Sequence, residues 1–253
     1  TLFSVSKSLV TLPFSKSILP FQMISLESFS IIIIEKMRLT LLLVLINMGV
    51  FVYTFQNLPH FIETYGFSSD SFAKGDYLNA ITAMFMHANI LHIVGNMLVL
   101  FFVGRSIEQN LGKLTYLLVY FLSGIIANLG VLLLPFIGSS ATVVGASAAI
   151  SGLIGLGAFK LSGKWILSPI RFIPLPMPFI VAGALYALLN FYGLFILNKP
   201  FASAGHLIGG FIGALFGLAG EQHKFKKIII FLFLMIFISL LPYLIRYIAG
   251  YLL

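Results

Sequence analysis

The chain has 253 residues, of which 60% are hydrophobic and only 9% charged, and its mean hydropathy is +1.08. Those values exclude an ordinary soluble domain and indicate an all-α, polytopic membrane protein set in a lipid bilayer. The formal net charge of +8 does not indicate a nucleic-acid partner, because the basic residues sit in short runs between apolar spans, as membrane topology requires.

Residues 1–36 are Ser-rich and only partly apolar. The run Ile31–Ile34 is closed off by Glu35, Lys36 and Arg38, which leaves it too short to span a bilayer. It lacks the small-residue cleavage site of a signal peptide. This segment is therefore expected to be a tail, propeptide or leader outside the fold. Seven apolar spans follow, at 39–55, 90–104, 114–134, 144–160, 178–197, 205–220 and 228–245. The first six make one unit within residues 37–220. Residues 221–253 add a basic linker and the seventh span.

Of the fifteen Lys and Arg residues, only Lys74, Lys199 and Arg246 fall on one side of this arrangement, and the other twelve fall on the opposite side. The positive-inside rule then puts the amino terminus in the cytoplasm. Spans two, four and six consequently run from outside to inside, and their N-terminal turns share one depth near the outer surface. Those turns hold His87, His92 and Asn96, then Ser147, then His206. Polar groups at such a depth are costly and usually functional. The long outer loop, Gln56 to Met86, carries Phe61, Ile62, Tyr65, Phe67, Phe72 and Tyr77 and is expected to embed partly in the interface.

Span four opens VGASAAISGLIG, with Gly145-x-Ser147 at a helix N-terminus. Unpaired N–H groups and the positive end of the helix dipole meet there, so a serine could attack a carbonyl while those groups steady the oxyanion. The plainer reading is a hydroxyl bonded to its own helix. His92 and Asn96, four apart, share a helix face, and Asn can donate to an oxyanion; a structural interhelical bond is the alternative. His87 is five residues from His92, so it is expected to point elsewhere and organise the loop. Span six carries Gly209, Gly213 and Gly217 at intervals of four, a ridge that admits close approach of another helix. Span four has a matching small stripe at Ala148 and Gly152, and at Ser151 and Gly155. Packing the two would bring His206 towards Ser147 as a Ser–His pair.

None of the seven acids lies in a span core, so a dyad rather than a Ser-His-Asp triad is expected. There is no HExxH, no pair of intramembrane aspartates and no cysteine, which removes the zinc, aspartyl and thiol protease classes. Three histidines without a carboxylate could still bind a metal. Their separate helices and the accompanying Ser and Asn make that the weaker reading.

Together, His87-x-x-x-x-His92-x-x-x-Asn96, Gly145-x-Ser147 and His206-x-x-Gly209-x-x-x-Gly213 resemble the signature set of rhomboid intramembrane serine proteases. TAMFMH at residues 82–87 and Gly104-Arg-Ser-Ile-Glu108 resemble that family too. The resemblance covers about residues 38 to 220 and implies a six-helix bundle, here with one extra C-terminal transmembrane helix. It implies Ser147 as nucleophile and His206 as base, then acid. Asn96, His92 and the Ser147 N–H would line the oxyanion hole, and Glu108 would hold an inner loop. Transmembrane segments of other proteins would be the substrates, with no metal or organic cofactor.

Three positions depart from the family pattern. Ala148 replaces the usual Gly after the serine, and Leu78-Asn79 replaces a Trp-Arg pair in the first loop. Ser151 stands where an aromatic commonly stacks under the histidine, so His206 needs another support. These departures sustain a second reading, a non-proteolytic relative that binds or retains membrane clients. A transporter using the histidines as a relay is weaker, since the spans lack carboxylates. The expected location is a prokaryotic cell membrane, with the site opening to the outer face.

Overall fold

A computed structural model of the protein describes residues 38–133, 142–170, 173–197 and 200–252. The tail expected at 1–36 lies outside them. The helices are α1 (Arg38–Thr54), α2 (Leu58–Tyr65), α3 (Ser69–Ala73), α4 (Asn79–Thr82), α5 (Ile90–Val99), α6 (Arg105–Leu111), α7 (Lys113–Val131), α8 (Ser147–Lys160), α9 (Phe179–Phe195), α10 (Pro200–Leu218) and α11 (Lys224–Leu252). Four helical stretches are long and apolar enough to cross a membrane: Arg38–Tyr65, Ile90–Leu111, Lys113–Val131 and Lys224–Pro242. Three shorter apolar stretches join them at Ser147–Lys160, Phe179–Phe195 and Ala202–Leu218. All seven expected spans thus correspond to helices, and the protein is an integral, multi-pass membrane protein.

The short helix α8 is the centre of the bundle. Ala148 to Ile154 is buried without interruption, as are Leu156 to Phe159, so α8 is enclosed on nearly every side. Small residues make this possible. A methyl group added at Gly213 would lie 1.8 Å from the Gly152 carbonyl oxygen, and one at Gly155 2.0 Å from that of Gly210. Backbones that close exclude every side chain but hydrogen, so α8 and α10 pack main chain to main chain. The pairs Gly209–Ala148, Gly213–Gly152 and Gly217–Leu156 advance together, hence the two helices run parallel.

Beside them, α7 contributes Tyr116 and Tyr120, whose stacked rings lie 6.3 Å apart and are wholly buried. The second span is not one continuous α-helix. A π-helical turn at Leu100–Gly104 separates α5 from α6, and α6 then returns Glu108 to the start of α1. The Glu108 carboxylate accepts from the Leu39 and Thr40 N–H groups at 2.9 Å each and from the Thr40 hydroxyl at 2.7 Å. It thereby caps orphan donors of the first span and opposes its dipole.

The connection between α8 and α9 is an antiparallel hairpin of β1 (Trp165–Ile170) and β2 (Ile173–Pro178). Pro169, Pro174, Pro176 and Pro178 all belong to one alternate set of pairs, Trp165–Pro178, Leu167–Pro176 and Pro169–Pro174. In a two-stranded ribbon every second N–H points away from the partner, so prolines in one alternate set need break no ladder bond.

The long loop after α1, expected to embed partly in the interface, contains regular structure. Short helices α2 to α4 fill it, Phe67 is fully buried, and Tyr77 remains 63% exposed. Phe67 pairs with Val143 through two main-chain bonds of 3.0 and 2.7 Å, which clamps this loop to the approach to α8. At the other end of the chain, α11 has no buried residue in its apolar stretch and leans on the bundle through Phe231, 5.1 Å from Phe159.

Candidate active site

The N-terminal turn of α8 begins at Ser147, and the residue before it, Ala146, offers no side-chain cap. The first N–H groups of the helix therefore keep their donors free for a ligand. Gly145 makes the turn possible. Its φ of +115° lies in a region that L side chains rarely adopt, and its N–H donates to the Ala83 carbonyl at 2.8 Å. A methyl group there would meet His92 Nε2 at 2.7 Å and Asn96 Nδ2 at 3.3 Å. Both side chains of α5 thus face the main chain that leads into Ser147.

Their hydrogen bonds fix which atoms do the facing. The Ala88 N–H donates to His92 Nδ1 at 3.4 Å, so the ring proton sits on Nε2, beside Gly145. Asn96 Nδ2 donates one N–H to His87 Nε2 at 3.0 Å, and the same nitrogen lies beside Gly145. His87, expected to point away from His92, instead lies with its ring 5.1 Å from the His92 ring and braces Asn96. The turn at Met86–Asn89 before α5 breaks the helical spacing on which that expectation rested. His87 is fully buried, and burial, with His92 beside it, pushes its imidazole down to about 4 against the pull of the Phe85 carbonyl. A neutral ring accepts from Asn96, as this bond requires.

His206 stands on α10, three residues before Gly209. Since Gly209 rests on the Ala148 carbonyl, His206 and Ser147 differ in height along the parallel axes by about 3 Å, at 1.5 Å of rise per residue. No hydrogen bond joins the two side chains among the described residues. The ring is held from the other side by two residues of α9 that the sequence reading did not single out. His206 Nδ1 and Asn190 Oδ1 are 2.7 Å apart, and Asn190 is 7% exposed. The Tyr186 ring lies 5.9 Å from the imidazole at a 40° tilt, and its hydroxyl bonds Ser151 Oγ at 2.7 Å. Ser151 Oγ in turn donates to the Ser147 carbonyl at 2.6 Å. The support missing after Ser147 thus comes from a neighbouring helix. The available signal was a lone Asn, four residues after a Tyr, inside an apolar span.

Glycines 209 and 213 allow the close approach of α10 to α8 that sets His206 near the level of Ser147. Among the described residues no group of three or more His, Cys, Asp or Glu side chains is placed to hold a metal ion.

A family model, the Rhomboid domain, matches residues 74–223, more than half of the chain. The rhomboid protease AarA of Providencia stuartii is 29% identical over 229 residues, 79% of this chain and 77% of that protein. Rhomboid-like protease 3 of Toxoplasma gondii is 35% identical over 38% of this chain, and RHOMBOID-like protein 1 of Arabidopsis thaliana is 31% identical over 60%. The chain spans only 35% and 37% of the length of these last two relatives.

Proposed function

This chain belongs to the rhomboid family, and we propose that it is an intramembrane serine endopeptidase. Ser147 Oγ attacks the scissile carbonyl carbon while His206 Nε2 takes the hydroxyl proton. The carbonyl oxygen becomes an oxyanion, met by the Ser147 N–H, His92 Nε2–H and the free Asn96 Nδ2–H. Collapse breaks the C–N bond, His206 returns the proton to the leaving amine, and water then hydrolyses the acyl-serine. Substrates are transmembrane segments with small or helix-breaking residues, because a helical peptide bond in lipid is shielded by its own hydrogen bonds. The amino terminus is cytoplasmic and the cleft opens to the outer face.

The observation that carries this reading is the donor cluster around Gly145. Two side-chain N–H groups from α5 lie against Gly145, two residues before Ser147 and the uncapped helix N-terminus, and this supports an oxyanion site beside Ser147. Relatives of the chain bearing the name protease support the same class. A competing reading, a client-binding relative without proteolysis, draws on the missing Ser147–His206 bond; catalytic hydrogen bonds often tighten only with substrate bound. The test is reconstitution in liposomes with single-span substrates carrying Gly or Pro within the span, with products identified by mass spectrometry. Cleavage inside the span by the wild type and none by Ser147→Ala is expected. Intact substrates with a folded wild type would favour the client-binding reading.

A further inference from the structure

Neither the sequence motifs nor the reaction above accounts for two polar groups around His206, Tyr186 and Asn190, and of these Asn190 is the one that bonds the imidazole. It is nearly buried in α9, a helix that contributes nothing else polar to the cleft except Tyr186. We propose that Asn190 is a positioning residue that fixes the tautomer and aim of His206, so that Asn190, His206 and Ser147 act in series. The inference rests on the serine-protease reading and deepens it.

The hydrogen bonds leave one consistent assignment. Asn190 Nδ2 donates to the Tyr186 carbonyl at 2.8 Å. Flipping the amide would set its oxygen against that carbonyl oxygen, two acceptors facing each other, so Oδ1 must face the imidazole. An amide oxygen only accepts. The nitrogen 2.7 Å from it, His206 Nδ1, therefore carries the proton, and Nε2 keeps the lone pair. That is the tautomer a base needs towards Ser147. In a Ser-His-Asp triad a carboxylate does this and also stabilises the imidazolium. Here a neutral amide orients the ring without adding charge to the bilayer interior, where a carboxylate is costly.

The same helix locks the ring plane. Ser151 spends its single hydroxyl proton on the Ser147 carbonyl, so Tyr186 must donate to Ser151. That bond ties the α9 ring that flanks His206 to the first turn of α8. The titratable groups within reach of His206 are His92 on α5 and Tyr186 on α9; the faces of α8 and α10 packed beside it present Ser147, Ser151 and glycines.

The experiment measures the rate of Ser147 phosphonylation by a fluorophosphonate in the full chain in detergent, from pH 5 to 9. In that step the Oγ–P bond forms, the P–F bond breaks, fluoride leaves, and the hydroxyl proton passes through His206 Nε2 to water. Asn190→Ala should slow labelling at least about 10-fold, part of the roughly 10²–10⁴-fold that positioned acid–base catalysis supplies. Asn190→Asp keeps the acceptor and adds a charge that favours the imidazolium. It should retain labelling at alkaline pH and move the acid limb up by about one pH unit or more. A side chain at 190 that packed out of contact with the ring would leave that midpoint in place, so the shift reports the Asn190–His206 contact even if Asn190→Ala fails to fold. Wild-type labelling that vanishes in Ser147→Ala but has the same rate in Asn190→Ala, or the same midpoint in Asn190→Asp, overturns the Asn190 role and spares the dyad. A folded wild type that never labels overturns the reading beneath it.

Discussion

Gly209 sits so close to Ala148 that a methyl group on it would lie 2.2 Å from the Ala148 carbonyl oxygen. This contact sets the register of α10 on α8, and with it the height of His206 beside Ser147. The same contact repeats one turn down, at Gly213 and Gly152, where there is still less room.

Replacing Gly213 with Val should therefore push α8 and α10 apart. Overpacking of a tight core costs roughly 1–3 kcal/mol and occasionally more, and this site belongs at the upper end because the obstacle is backbone. Thermal unfolding in detergent should show a markedly lower midpoint. An unchanged midpoint would mean that the two helices do not meet as described.

Gly145→Ala tests the turn rather than the bundle. The methyl group would enter a positive-φ turn and collide with His92 Nε2. Such strained positions cost on the order of 1–3 kcal/mol. Misplacing the donors should cost about as much as losing an oxyanion-hole group, roughly 10²–10³ in rate. Cleavage measured beside the wild type should fall by that factor while the protein stays monodisperse. Activity within threefold of wild type would detach Gly145 from the site.

Glu108→Ala removes the acceptor for three donors at the start of α1. Hydrogen bonds to a charged group contribute about 1.5–3 kcal/mol, and the buried Thr40 groups would be left without a partner. A loss of about 3 kcal/mol is expected by denaturant titration, with little change in activity per folded molecule. Glu108→Gln, which keeps one acceptor oxygen, should lose less.

The acid limb of stability should depend on His87. Its folded value lies near 4, below the usual 6.5, so the fold favours the neutral ring. That preference contributes fully above about pH 6.5 and is lost as pH falls through about 4. His87→Gln keeps an acceptor for Asn96 and cannot protonate. The wild type should outperform it least at pH 4, and its own melting point should fall more steeply between pH 6.5 and 4. Parallel curves for the two proteins would show that His87 is not held neutral.

The bundle was legible because its signals are local and repetitive. Apolar runs marked the seven spans, and the spacing of Gly209, Gly213 and Gly217 named the face on which α10 packs. Ser147, His92, Asn96 and His206 stood out as polar groups at one expected depth. Three features resisted. His87 sits in a turn where helical spacing no longer says which way a side chain points. Tyr186 and Asn190 belong to a helix that reads as plain apolar filling, and their meaning comes only from the ring across the cleft. The hairpin at 165–178 was hidden by its prolines, which mark a loop until the pairing shows them sharing one set of positions.

The proposed protease activity turns on Ser147 being an activated nucleophile. Its most direct measurement is mass-spectrometric mapping of a fluorophosphonate adduct on the detergent-solubilised protein. Wild type would be compared with Ser147→Ala, His206→Ala and Ser239→Ala, the last removing an exposed hydroxyl of α11. An adduct on Ser147 is expected in the wild type and Ser239→Ala, and none in the other two. An adduct that persists in His206→Ala at the wild-type rate, or none on a folded wild type, would contradict that activation.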